Sequence, residues 1–84
     1  MDPSKCWDDM LIAYATKQWA EAAEHAEALN NWLVGGGFAP RPTIGTTTMA
    51  FTAQLDDAFS RAICVAACRH IADRAEQELV DTTC

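Results

Sequence analysis

The sequence has few aromatic residues and little positive charge. Among 84 residues there are three Phe, three Trp and one Tyr, while half of the chain is hydrophobic. Alanine and other helix-favouring residues supply most of that half, so the composition predicts an all-α fold. Six basic residues stand against twelve acidic ones, giving a net charge of −6. Because such a charge repels phosphate backbones and anionic lipid, we expect neither nucleic acid nor a membrane surface as a partner.

Long apolar segments and paired cysteine motifs are also absent from the sequence. The longest apolar run, Ala62 to Cys68, is far shorter than the ~20 residues that a bilayer-spanning helix needs. The N-terminal Met-Asp-Pro-Ser-Lys lacks the apolar region of a signal peptide, so we expect a cytoplasmic protein. None of the four cysteines has the Cys-x-x-Cys spacing of zinc and redox sites, and in a cytoplasm they would be reduced.

Glycine and proline do not occur between Ser4 and Val34. Asp2 followed by Pro3 is typical of an N-cap and the first position of a helix, and Gly35–Gly37 would end that helix. One of the threonines Thr46–Thr48 would cap a second helix. The sequence therefore predicts one domain, 1–84, made of a helix at about 3–34, a Gly/Pro loop at about 35–47 and a helix at about 48–80, folded as an antiparallel hairpin.

Apolar residues recur in both predicted helices at alternating steps of three and four, which indicates a seam between them. The first seam comprises Ile12, Ala15, Trp19, Ala22, Ala26, Leu29 and Leu33. Further apolar residues lie off the seams, and the segment Ala62–Cys68 is apolar all round, as in a helix buried on every side. Since a two-helix hairpin cannot cover them, we predict a homodimer that forms a four-helix bundle. Its predicted interaction surface comprises Trp7, Met10, Leu11, Tyr14, Phe59, Ile63 and Ile71.

One segment of the first helix suggests an alternative fold. Trp7, Met10, Leu11 and Tyr14, followed by Trp19, Ala22, Ala26 and Leu29, resemble the helix pair of a tetratricopeptide repeat, although Thr16-Lys17-Gln18 replace its Gly-Asp turn. The resemblance covers only residues 7–29. It implies a break at Thr16–Gln18 and a three-helix, peptide-binding or scaffolding module. Because the seam passes from Ala15 to Trp19 without a skip, we predict instead a continuous helix, with Lys17→Pro as its test.

The residues capable of site chemistry all have a structural interpretation as well. Cys64 and Cys68, one helical turn apart, could bind a metal with a histidine, but cysteine is also a small core residue. Cys6 and Cys84 would lie at the same end of a hairpin, so a disulfide between them stays open. His70 should lie opposite Tyr14, without a nucleophile that would make it catalytic.

These patterns predict a non-enzymatic oligomerising or protein-interaction module, without catalytic residues, metal or cofactor. The partner would be a second copy of the chain or another protein. The alternative is a helical bundle that carries a metal or small ligand on Cys64, Cys68 and a histidine.

Overall fold

Three α-helices and one pair of short strands make up the protein. The structure, a computed structural model, describes residues 2–50, 52–54 and 56–82, with the backbone alone at 43, 52, 54, 81 and 82. The order is α1 (Pro3–Ala15), α2 (Trp19–Val34), β1 (Thr43–Gly45), β2 (Thr52–Gln54) and α3 (Asp57–Thr82). The prediction of an all-α fold is confirmed, with two strands of three residues each as the only β-structure in the described part of the chain.

The start of α1 follows from its first residues. The Asp2 carboxylate accepts hydrogen bonds from the backbone N–H groups of Ser4 and Lys5, at 3.1 and 3.3 Å. These amides have no partner within a helix, and Pro3, the first helical residue, has no N–H to satisfy. The predicted cap is therefore confirmed.

The predicted continuous helix at 3–34 is wrong, because the chain turns between Ala15 and Trp19. Lys17 takes the left-handed conformation, with φ of 60°. Its N–H donates to the Tyr14 carbonyl at 3.2 Å, and the Gln18 N–H donates to the Ala13 carbonyl at 2.8 Å. This pair of bonds is the Schellman motif, which satisfies the last carbonyls of a helix and directs the chain out of it.

The connection from α2 to α3 is longer than predicted. The Gly35–Gly37 stop is confirmed, but no helix starts at about 48, because β1 and β2 pair antiparallel with Ile44 opposite Ala53. The cap of α3 is Asp56, whose side chain accepts the Phe59 N–H at 2.7 Å. A carboxylate satisfies that free amide better than a threonine hydroxyl would, and β-branched residues around Ile44 favour strands.

The middle helix, α2, packs against both α1 and α3. It runs antiparallel to α3, because Arg61 reaches the Leu33 carbonyl at one end and Arg74 lies over the Trp19 ring at the other. The core is a single cluster of mostly small side chains. Its buried members are Cys6, Met10, Ala13, Ala22, Ala26, Leu29, Leu33, Ala39, Cys64, Cys68 and Ile71.

The turn at Lys17 changes which residues are buried. Ile12, predicted in the seam, is 61% exposed, whereas Met10 is fully buried. In α3, Ala62 and Ala66 are exposed, so the apolar segment Ala62–Cys68 is not buried on every side. Within the chain, α2 has two packing neighbours, α1 and α3, where the sequence predicted one neighbouring helix and a partner chain. No helix in the described ranges is both long enough and apolar enough to cross a membrane.

Candidate interaction site

Two of the seven residues predicted for the interaction surface belong to the core instead. Met10 is 0% exposed and Ile71 is 3% exposed. The Met10 Sδ accepts a hydrogen bond from the Cys68 thiol of α3 at 3.9 Å. Because α1 packs beside α2 and reaches α3, these side chains are covered within the chain, and their assignment to the surface is wrong.

Trp7, Leu11 and Tyr14 follow one side of α1 at helical spacing. Leu11 is 39% exposed, and Trp7 and Tyr14 are half-buried against the core. The Tyr14 hydroxyl lies 3.4 Å from the His70 Nε2, and its ring meets the Trp19 ring edge-on with 5.6 Å between centroids. The predicted approach of His70 to Tyr14 is therefore confirmed. It fixes this side of α1 as the side nearest α3.

Phe59 and Ile63 lie on the side of α3 that carries His70. They precede His70 by eleven and seven residues, spacings that place all three on one face of a helix. Phe59 is 53% exposed and Ile63 is half-buried. Five of the seven predicted residues thus remain at least partly accessible, along neighbouring sides of α1 and α3.

A cleft opens where α1 meets the segment that follows α2. We name it the Trp7 cleft; it has a volume of about 490 Å³. Its lining residues are Ser4, Trp7, Asp8, Leu11, Pro40, Arg41 and Pro42. One wall, the helical wall, belongs to α1, and the other, the extended wall, is the segment Pro40–Pro42. Trp7, Leu11 and the two prolines supply the apolar surface between the walls.

The extended wall of the Trp7 cleft is attached to the helices behind it. The Arg61 guanidinium of α3 donates to the carbonyls of Leu33 and Gly37, each at 2.7 Å. The Trp32 indole N–H donates to the Phe38 carbonyl at 2.9 Å, and the Cys64 thiol donates to the Pro40 carbonyl at 3.6 Å. Pro40 is buried as well. Hydrogen bonds and burial therefore order the extended wall in the chain without a partner.

The two walls carry opposite charges. Asp8 is exposed on the helical wall and Arg41 is exposed on the extended wall. Pro40–Pro42 belong to the predicted Gly/Pro loop, and no local pattern in the sequence places them beside Trp7, which lies more than thirty positions earlier in the chain.

The cysteines that could form a metal site are directed into the core. Cys64 and Cys68 are 0% and 1% exposed. Burial raises the pKa of Cys64 to about 11; burial, with the nearby Cys64 and Cys6, raises the pKa of Cys68 to about 12. A metal requires thiolates, which these surroundings disfavour. In the described ranges no three His, Cys, Asp or Glu side chains form a group suited to a metal.

Cys6, the third described cysteine, is also buried, and its thiol donates to the His25 carbonyl at 3.4 Å. Burial, with a smaller effect of the Asp9 carboxylate, raises the pKa of Cys6. Cys84 lies outside the described residues, so the possible pairing of Cys6 with Cys84 stays a prediction.

A second groove, between α2 and α3, was not foreseen from the sequence. It is lined by Ala23, Ala26, Ala72 and Cys68, with Glu27 and Asp73 among the charged residues at its edges, and has a volume of about 350 Å³. Its apolar lining consists of small side chains, and it offers no aromatic contact. The Trp7 cleft is therefore the stronger candidate for an interaction site.

No protein family, curated protein or solved structure matches the chain. The resemblance of residues 7–29 to a tetratricopeptide repeat therefore stays a hypothesis. The break at Lys17 agrees with what that resemblance implies for the position of the turn.

Proposed function

We propose that this protein is a non-enzymatic protein-interaction module that receives an apolar side chain of a partner in the Trp7 cleft. The observation that supports this proposal is the cleft itself, in which Trp7 and Leu11 face an extended segment that Arg61 and Cys64 fix in place. Tryptophan is over-represented among the residues that contribute most to protein interfaces. A wall that is already ordered also reduces the entropy lost on binding.

The three-helix architecture favours the peptide-binding form of the sequence-based hypothesis over the four-helix bundle. The dimer was predicted because a two-helix hairpin would leave too much apolar surface uncovered. In the structure, α1 turns back along α2, and Met10 and Ile71 are covered by the chain's own helices. The large apolar side chains that remain exposed lie at several places on the surface, and among them Leu11 lies in a cleft, beside Trp7.

Selection from a displayed peptide library tests the proposal with the full chain as bait. We expect enriched peptides to share a large apolar residue and to lose binding when Leu11→Glu places a charge in the cleft. The matched control is Ile12→Glu, the same change at the neighbouring residue, which is exposed outside the cleft. Circular dichroism melts establish that both variants fold.

The proposal fails if no peptide is enriched. It also fails if Leu11→Glu and Ile12→Glu weaken the enriched peptides equally, because binding would then lie outside the cleft.

Self-association is the second form that the interaction could take. Phe59 is 53% exposed and Ile63 is half-buried beside it, so a second copy would find apolar surface to cover on α3. In this form, light scattering at micromolar concentration gives the mass of a dimer, and Phe59→Glu returns it to that of a monomer. A monomeric mass for the parent at every concentration would exclude this form and leave the peptide-binding form standing.

A further inference from the structure

Arg41 is the basic residue among those that line the Trp7 cleft, whereas the exposed Lys17 and Arg69 lie outside it. Lys5 pairs with Asp9 at 3.2 Å, Arg74 pairs with Glu78 at 2.9 Å, and Arg61 donates to two backbone carbonyls. Arg41 is exposed and makes no ion pair with any residue that the structure describes. In a chain with a net charge of −6, it is an unpaired cation beside an apolar cleft.

The backbone on both sides of Arg41 is restricted. Pro40 and Pro42 each fix their own φ, and Pro42 also keeps Arg41 extended because it excludes the helical conformation of the residue before it. Pro40 is buried, and its carbonyl accepts the Cys64 thiol. The position from which the guanidinium projects is therefore set by the fold, although the side chain itself reaches into solvent.

The opposite charges of the two walls favour one orientation of a bound partner. A carboxylate on a bound partner is attracted to Arg41 on the extended wall and repelled by Asp8 on the helical wall. An apolar side chain has its place between Trp7, Leu11 and Pro40. A volume of about 490 Å³ accepts a few residues of extended peptide, since pockets of ~300 to 1,000 Å³ suit ligands of that size.

We propose that the partner segment is an extended peptide in which a large apolar residue is adjacent, or nearly adjacent, to an aspartate or glutamate. The apolar side chain fills the space beside Trp7, and the carboxylate pairs with Arg41. This inference rests on the proposed function and specifies its partner. A guanidinium binds a carboxylate through two parallel hydrogen bonds, which lends the contact direction as well as strength.

Charge reversal tests the inference in the same displayed library. The parent chain should enrich peptides that combine an apolar residue with an acid. Arg41→Glu should bind one of those peptides at least about tenfold more weakly and should recover affinity when the peptide's acid is replaced by lysine. Arg69→Glu is the matched control, since it reverses the charge of an exposed arginine on α3 outside the cleft and should bind as the parent does.

The outcomes separate this inference from the proposed function. If the parent and Arg41→Glu enrich the same peptides, and Leu11→Glu still abolishes binding, the acidic partner is wrong and the interaction module stands. If Arg69→Glu weakens binding as much as Arg41→Glu does, net charge and not Arg41 attracts the peptide, and the inference is overturned. Failure to enrich any peptide overturns both.

Discussion

Two helix ends in this protein share one hydrogen-bonding pattern but have very different sequences. At the end of α1, the residue with positive φ is Lys17; at the end of α2, it is Gly36, with φ of 93°. The Gly36 N–H donates to the Leu33 carbonyl at 3.2 Å, and the Gly37 N–H donates to the Trp32 carbonyl at 2.8 Å. Both ends are therefore Schellman motifs, with glycine at the left-handed position in one and lysine in the other.

The comparison shows where the stability of each turn originates. Glycine adopts positive φ without steric cost, so the turn at Gly36 is favoured locally. Lysine pays roughly 1–2 kcal/mol for the same conformation. The turn at Lys17 allows α1 to pack along α2, which buries Met10 completely and leaves Ala13 4% exposed. The free energy gained from this packing offsets the cost of the left-handed lysine.

Met10→Ala should have the largest effect of the substitutions considered, about 2–5 kcal/mol of destabilisation, because it leaves a cavity in the core. Ile12→Ala, at a residue 61% exposed, should change the free energy of unfolding by less than about 0.5 kcal/mol. A continuous first helix predicts the reverse order, since Ile12 would then lie in the seam. Urea denaturation of both variants decides between the two arrangements.

Arg61→Met should destabilise the protein by about 1.5–3 kcal/mol, because it removes a charged donor from two carbonyls at the α2 end. The α1 end has a weaker counterpart: the Thr16 hydroxyl donates to the Ile12 carbonyl at 2.8 Å from an exposed position. Thr16→Val should therefore cost no more than about 1 kcal/mol. Equal losses in thermal melts would show that Arg61 does not support the glycine turn in solution.

Replacing glycine by alanine at one left-handed position and lysine by glycine at the other should change the free energy of unfolding in opposite directions. Gly36→Ala should destabilise by about 1 kcal/mol through backbone strain alone, since no atom lies within 4 Å of the added Cβ. Lys17→Gly should stabilise by up to about 1 kcal/mol. In a continuous helix, Lys17→Gly would instead cost about 1 kcal/mol, so the sign of the change locates the turn.

Lys17→Pro, the test suggested by the sequence alone, does not discriminate between a turn and a helix. Proline cannot adopt a φ of 60°, and Lys17 donates its N–H to Tyr14, so the variant is destabilised in either arrangement.

The buried thiols should have the smallest effect at neutral pH. In the folded state the pKa values of Cys64 and Cys68, about 11 and 12, lie above the ordinary value of 9.0. The folded state holds the two thiol protons more tightly than the unfolded state does. The contribution of the protonated thiols to stability is therefore complete below pH 9 and is lost as the pH rises through 11 and 12. Urea midpoints should thus be unaffected by these thiols between pH 7 and 8.5 and decline above pH 9. Cys68→Ala should show a shallower decline.

Thiol labelling provides the kinetic counterpart of that measurement. At pH 8, a disulfide reagent should react slowly with Cys64 and Cys68 in the folded chain and rapidly once urea unfolds it, because burial keeps both protonated and covered. Fast labelling of Cys68 without urea would mean that α3 opens from the core.

Much of the local structure was predictable because it depends on neighbouring residues. Asp2 with Pro3 specified the start of α1, and the three glycines specified the end of α2. The approach of His70 to Tyr14 was also predicted, although from a hairpin that the protein does not form. The start of α3 was misplaced because the threonines before it were interpreted as caps, when Asp56 satisfies that role.

The candidate site was predictable only in part. Leu11 and Trp7 were identified as apolar residues beyond the seam, and they line the cleft. Met10 was grouped with them because it is adjacent on the helix, and a difference of one residue, 100° of rotation, separates core from surface. The extended wall at Pro40–Pro42 joins Trp7 only through contacts made by α2 and α3, which periodicity does not reveal.

By itself, the sequence determined the helical class, the helix start at Asp2 and the stop at Gly35–Gly37, since composition and caps act over a few residues. Only the tertiary structure decided that the chain turns at Lys17. No local preference favours a lysine at positive φ, so the turn exists because the packing behind it compensates its cost. The same packing covered Met10 and Ile71, brought Pro40 against α1, and so formed the cleft that the function proposed here requires.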